Sequence, residues 1–473
     1  MKAMRTETDS FGPIDVPAEA LWGAQTARSL HFFAIGEQRM PLEQIHAMAW
    51  IKWACALVNE DLHKLAPLRA QAIARAACAV AQGRHDDAFP LSLWQTGSGT
   101  QSNMNVNEVV ARLAMQDLQS QSGGGGDAQA VHPNDDVNLG QSSNDVFPSA
   151  MHIAVALQTN QALLPSVAIL QEALADQASR LHETIKIGRT HLQDATPIRL
   201  GQEFGGYVAQ LRLCEQQIRH ALQAVFSLAI GGTAVGTGLN THPQFGARVA
   251  ARLASKLNLP LVQADNLFAA MAGHEALVAF HGALKMLAIA LTKIGNDIRL
   301  MGSGPRAGLG ELQLPENEPG SSIMPGKVNP TQIEALTMVC AQVLGHDTAI
   351  GFAASQGHFE LNVYKPLIVY DTLDSLRLLA DAMRSFATHC VAGIVPNEAN
   401  LQSALESSLM LVTALAPHIG YESASQIAKS AHRNGTCLRE AALASGTVTA
   451  EQFDRWVDAR QMLGPDTGES DLR

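Results

Sequence analysis

Between Ala276 and Leu291 the chain is apolar almost all round, and no proline interrupts it from Leu261 to Gly304. A helix that is apolar on every side must be covered on every side, so it belongs inside a bundle. A second segment carries a stripe. From Glu203 to Ala229, apolar residues recur at spacings of four and three: Phe204, Val208, Leu211, Ile218, Leu222, Val225 and Ala229, with Glu215 the one polar break in the row. This heptad-like row predicts a helix packed along its length against parallel or antiparallel neighbours. Val167, Leu170, Leu174, Ala178 and Leu181 make a similar face. Helices of ~30 residues run ~45 Å. Charged residues are only 16% of the chain against 47% hydrophobic, where about a quarter charged is ordinary. So low a charge fraction predicts that much surface is hidden in a subunit interface.

The fold class predicted is all-α, a three-part helical protein around a central bundle of long helices. At 473 residues the chain is long enough for two or three domains. Gly123 to Gly126, followed by polar turn residues through Leu139-Gly140, closes a first helical part, 1–140. The glycine run itself reads as a flexible connection. The long-helix region, 141–397, ends near Pro396-Asn397, and 398–473 form a small C-terminal part with short helices such as Glu422 to Ala431. Strand signals are poor apart from a short hairpin in the first ~15 residues.

Several functions are excluded at this level. Lys plus Arg total 33 against 44 Asp plus Glu, a formal charge of −11, and no basic stripe appears. A partner with a phosphate backbone is therefore not expected. The longest uninterrupted apolar runs, such as Trp53–Val58 and Met286–Leu291, are far short of the ~18 residues of a membrane span. The N-terminus lacks an apolar leader segment, which predicts a cytoplasmic protein. The six cysteines stand singly, so no zinc-ribbon or close-spaced iron–sulfur pattern is present, and most are expected to be buried apolar thiols.

Four polar, glycine-rich segments interrupt this apolar helical sequence, and such loops between rigid helices are where binding groups sit. Thr96-Gly97-Ser98-Gly99-Thr100-Gln101-Ser102-Asn103 runs into a helix expected near Met104. It reads equally as an anion seat built from hydroxyls and helix N-terminal N–H groups or as an elaborate cap. His132-Pro133-Asn134-Asp135-Asp136, followed by Gln141-Ser142-Ser143-Asn144-Asp145, is explained in its first half by turn chemistry alone. Gly188-Arg189-Thr190-His191 precedes a long helix expected around Pro197; its histidine reads as a proton carrier or as a structural hydrogen-bonder. Gly320-Ser321-Ser322-Ile323-Met324-Pro325-Gly326-Lys327-Val328-Asn329-Pro330 has the composition of a mobile lid, and Glu334 follows about a turn into the next helix, where it could orient a histidine.

The last segment resembles the signature loop of the fumarase–aspartase–argininosuccinate lyase superfamily, and the chain resembles the class II fumarases over nearly its whole length. The likeness runs through Arg5 to Gly12, Leu21 to Thr26, Ser98 to Asn107, His132 to Asn138, Gly188 to Pro197, Ser303 to Arg306 and Leu438 to Ala442. His191 and Gly326 separate it from aspartases, which generally carry glutamine and alanine there. The resemblance implies an all-helical homotetramer with active sites shared between subunits, and neither metal nor other cofactor. It implies Ser321 as the base for the C3 proton of malate, and His191 paired with Glu334 for the hydroxyl or water. Ser98, Gly99, Thr100, Asn103, Ser142, Ser143, Asn144, Thr190, Ser322, Lys327, Val328 and Asn329 correspond to the substrate-binding set. His132, Pro133, Asn134 and Asp135 correspond to a secondary anion site, weakened by Gln129-Ala130 where basic residues are common. Hydration of fumarate to (S)-malate in the tricarboxylic acid cycle is the activity implied; aspartate ammonia-lyase or another lyase of the superfamily is the alternative.

Overall fold

The computed structural model describes residues 3–121 and 130–464. The Gly123–Gly126 run and Gln129 lie outside the described residues. The N-terminal hairpin forms as the sequence predicts: β1 (Met4–Asp9) pairs antiparallel with β2 (Gly12–Pro17). Eight helices of sixteen residues or more follow among the described residues. They are α1 (Leu42–Asp61), α2 (Thr100–Gln121), α3 (Ser143–Gln158), α4 (Leu164–Arg180), α5 (Leu200–Val225), α6 (Glu275–Met301), α7 (Thr331–Ala354) and α8 (Lys365–His389). A second antiparallel hairpin, β3 (Ile185–Thr190) with β4 (Gln193–Arg199), precedes α5.

The chain gathers into two compact units. The first comprises 1–164, 216–286 and 341–379; the second comprises 165–215, 287–340 and 380–473. Within the first unit α1 buries Ile45, Met48, Ile51, Cys55 and Val58, and among them the single cation Lys52. The start of α3 is fixed by a capping box. Asn144 N–H donates to Ser142 Oγ at 3.2 Å, and Ser142 N–H donates to the Asp145 carboxylate at 2.9 Å. The reciprocal pair satisfies backbone donors that a helix start leaves open.

The second unit contains α4, the β3–β4 hairpin and a small C-terminal core of Val412, Leu415, Ile427, Leu438 and Phe453. A buried ion cluster anchors the hairpin. Lys186 Nζ lies 2.8 Å from Glu203 and 2.9 Å from Glu311, and Arg189 lies 2.6 Å from the same Glu311 carboxylate.

The predicted stripe on α5 is real, since Phe204, Val208, Leu211, Ile218, Leu222 and Val225 are all buried. Its ends differ from the sequence expectation. The helix expected around Pro197 begins at Leu200, because 193–199 are committed to β4. At the other end the apolar row runs on to Ala229, but the helix stops at Val225 and Ser227-Leu228 pair with Val262-Gln263. Burial persists there without the helix, which is why periodicity overruns it. The helix expected near Met104 starts four residues earlier, at Thr100. Two helical runs, 143–180 and 275–301, are long and apolar enough to cross a membrane, although no uninterrupted apolar run approaches that length. Half or more of the most apolar window of each is buried inside the protein, as in a core helix. Four of the six cysteines are buried, as expected; Cys78 is half-buried and Cys437 exposed.

Candidate active site

The first unit carries one half of the candidate residues and brings three of them into a single hydrogen-bonded group. Ser98 Oγ lies 2.8 Å from Thr100 Oγ1, which lies 2.7 Å from Ser143 Oγ. The three hydroxyls join the first turn of α2 to the first turn of α3. Two glycines permit this approach. A Cβ on Gly97 would fall 1.3 Å from the Val363 carbonyl oxygen. Gly99 sits at φ +74° with the Phe147 ring 2.1 Å from where a Cβ would be, a backbone region that costs L-residues about 1–2 kcal/mol. Three short hydroxyls thus meet at two helix starts, and Gln95 Oε1 caps α2 by accepting from the Ser102 amide and hydroxyl at 3.0 Å each.

Beneath this group lies a buried polar network that the sequence does not reveal. Lys52 Nζ donates to Asn138 Oδ1 and Gln141 Oε1, both at 2.9 Å. Asn138 Oδ1 also accepts from Asn103 Nδ2 and Asn107 Nδ2, each at 3.2 Å. The only hint in the sequence is a lone lysine inside the apolar run of α1, Trp50-Ile51-Lys52-Trp53-Ala54-Cys55. Burial pushes the Lys52 ammonium down to about 7, opposed by nearby Cys55 and Asp145. Burial likewise pushes the Asp145 carboxyl up to about 6, against hydrogen bonds from the Ser142, Thr233 and Gly231 amides. Asn144 spends one amide donor on the Ala234 carbonyl, at 2.8 Å.

His132, Pro133, Asn134 and Asp135 form a tight turn closed on itself. The Asn134 and Asp135 amides donate to His132 Nδ1 at 3.3 and 3.2 Å, and the His132 amide donates to Asp136 at 2.7 Å. Turn chemistry accounts for every one of these bonds. Asn134 and Asp135 are exposed beside it.

The second unit carries the other half on two loops. Thr190 ends β3, and His191 and Leu192 are the two-residue tip of the hairpin. Both tip residues have positive φ, 57° and 60°, the pattern of a type I′ turn, which usually takes Asn-Gly. His191 is exposed and makes no hydrogen bond among the described residues. The sequence points to a loop before a helix here, because this tip lacks the glycine that announces a tight hairpin.

In the second loop Ser321 Oγ accepts from the Met324 amide at 2.9 Å and the Ile323 amide at 3.3 Å. Two N–H donors on one hydroxyl oxygen favour the alkoxide over the neutral alcohol. Asn329 Nδ2 donates to the Gly320 carbonyl and so ties the two ends of the loop together. Ser322, Lys327 and Val328 are exposed between them. Glu334 lies in the first turn of α7, exposed. Within one chain it makes neither a hydrogen bond nor an ion pair with His191 among the described residues.

The sequence profile of a lyase family matches residues 12–345, and one described as the fumarase C C-terminus matches 411–464. The chain is 62% identical over 462 residues to the class II fumarate hydratase of Chromobacterium violaceum, covering 98% of this chain and all of that one. The chain belongs to the class II fumarate hydratase family of lyases. The relative from Methylorubrum extorquens is 59% identical over 98% of this chain and 97% of its own. Among solved structures, the class II fumarase of Schistosoma mansoni superposes with a TM-score of 0.95 at 43% identity, covering 98% of this chain and all of that one. Membership of this family accounts for the all-α fold with its long helices. All four polar, glycine-rich segments, the Ser98 and Ser321 loops among them, fall inside the lyase match.

Proposed function

We propose that this chain catalyses the reversible hydration of fumarate to (S)-malate, with Ser321 as the base at C3 and His191, paired with Glu334, at the hydroxyl. The observation that carries the reading is the pair of amide N–H groups on Ser321 Oγ. A serine hydroxyl is a poor base unless its anion is stabilised, and those two donors supply stabilisation before substrate arrives.

The hard step in dehydration removes a proton beside a carboxylate that is already charged, so a third negative charge develops on that carboxylate. Ser98, Thr100, Ser142, Ser143, Asn144 and Thr190 offer hydroxyl and amide donors for the two carboxylates. Gly99 lets the loop turn with its own amide on the Thr96 carbonyl at 2.9 Å, Lys327 is the cation, and Ser322, Val328 and Asn329 complete the lid loop. The alkoxide takes the C3 proton and the C3–H electron pair moves into the carboxylate. The C2–O bond then breaks as His191 delivers a proton to the leaving hydroxyl, and water and fumarate result. Hydration is the same path reversed.

In this reading the enzyme is a cytoplasmic homotetramer serving the tricarboxylic acid cycle, and each active site is shared between subunits. Apolar side chains left open on one chain support the assembly: Ile289 on α6 is 55% exposed, and Met338 and Phe352 on α7 are 67% and 63% exposed. Faces of that kind on long helices are expected to be covered by another copy. His132, Pro133, Asn134 and Asp135 are a weak secondary anion site, since the Asn134 and Asp135 amides are spent on the turn.

The test is production of fumarate followed by ultraviolet absorbance, with malate and with aspartate as substrates. Turnover of malate but not aspartate is expected; release of fumarate from aspartate alone would assign the chain to the ammonia-lyase branch instead.

A further inference from the structure

By resemblance Asn103 falls among the carboxylate binders, but its hydrogen bonding argues for another partner. An ammonium has only donors. Lys52 Nζ therefore meets Asn138 and Gln141 through their oxygens, at 2.9 Å each. The other ends of both amides agree. Asn138 Nδ2 donates to the Gln141 carbonyl at 3.1 Å, and Gln141 Nε2 donates to the Val137 and Leu139 carbonyls at 3.0 and 3.2 Å.

With Asn138 Oδ1 fixed as an acceptor, whatever Asn103 and Asn107 offer it must be a donor, so both present Nδ2. A neutral Lys52 amine would keep two N–H bonds, enough for the same two oxygens, so the orientation survives its titration. Among the described residues Asn103 Oδ1 is left buried without a hydrogen-bond partner. It lies one helical turn beyond Thr100 on α2, whose hydroxyl joins those of Ser98 and Ser143.

A buried acceptor that lacks a donor costs free energy until something supplies one. Carboxylates are acceptors only and cannot supply it. Resting on the reading of the chain as a hydratase, the groups of the reactants that can donate to it are the hydroxyl of malate and the water that adds to fumarate. We propose that Asn103 Oδ1 recognises the substrate hydroxyl or the added water, and that Lys52 is a positioning residue that acts through Asn138 to hold Asn103 in that orientation. Selection then distinguishes a hydroxy-dicarboxylate from the same dicarboxylate without its hydroxyl.

The experiment compares kcat/KM for malate with competitive inhibition by succinate, which keeps both carboxylates and lacks the hydroxyl. Asn103→Ala and Lys52→Met should each lower kcat/KM for malate about tenfold. The inhibition constant of succinate should move less than about twofold. Because both variants remove the same interaction, the double variant should lose no more than either alone. Should Lys52→Met fail to fold, Asn138→Leu breaks the same link and carries the same expectations. Succinate affinity falling in step with malate, or losses that multiply in the double variant, would overturn the assignment. Absence of malate turnover in the wild type would instead strike the hydratase reading itself.

Discussion

Replacing Gly99 by alanine perturbs the Ser98–Thr100–Ser143 group through two separable costs. The first is backbone: φ at Gly99 is +74°, and an L-residue in that region costs about 1–2 kcal/mol. The second is volume. The new methyl would lie 2.1 and 2.3 Å from two carbons of the Phe147 ring, and Phe147 is fully buried, so the ring cannot swing into solvent. Overpacking of this kind costs about 1–3 kcal/mol, which brings the expected total to about 2–5 kcal/mol.

Gly435 provides the control. It closes a C-terminal helix at φ +63°, and a methyl added there would meet nothing within 4 Å. Gly435→Ala should therefore show only the backbone cost, about 1–2 kcal/mol. Urea denaturation of both variants at one protein concentration gives the comparison, and kcat/KM for malate is read alongside. Gly99→Ala should be the less stable of the two and should lose activity as its hydroxyl group shifts, whereas Gly435→Ala should keep its activity. Equal losses of stability, or full activity in Gly99→Ala, would refute the claim that the Phe147 contact sets this loop.

Two further outcomes follow from the geometry. Leu192 is 73% exposed at φ 60°, so Leu192→Gly loses little burial and relieves strain. The strain relieved, about 1–2 kcal/mol, exceeds the freedom glycine adds to the open state, about 0.4–1 kcal/mol. The amides of Thr190 and Gln193 should therefore exchange with deuterium more slowly, and unchanged or faster exchange would contradict a strained tip. Lys52 titrates at about 7 when folded, from an ordinary 10.5. Between those values the unfolded chain holds more protons, so the stability contributed at this position is lowest below about 7 and rises with pH. The unfolding free energy of the wild type minus that of Lys52→Met should therefore increase between about pH 7 and pH 9; a flat or falling difference would contradict it.

What can be read from the sequence is what repeats or what is chemically rare. The stripe on α5 and the all-round apolarity of α6 announce long packed helices, since burial imposes its period on the residues. The Ser321 loop is legible because two prolines, two glycines and a lone lysine in so short a stretch are hard to place anywhere else. Contacts distant in sequence are not legible. Lys52 meets Asn138 and Gln141 across more than eighty residues, and a single lysine in an apolar helix does not name its partners. The β3–β4 hairpin escapes for a local reason: its tip is His191-Leu192, and the bulge at Gly188 breaks the alternation that marks a strand.

The account stands on Ser321 removing the C3 proton, and exchange at that carbon tests it most directly. In deuterated water the wild type, turning fumarate over, should place one deuterium at C3 of the malate formed. Ser321→Ala should do so at least ~100-fold more slowly while still assembling and still binding succinate. Deuterium incorporation by Ser321→Ala at a rate within about tenfold of the wild type would mean that another group carries the proton.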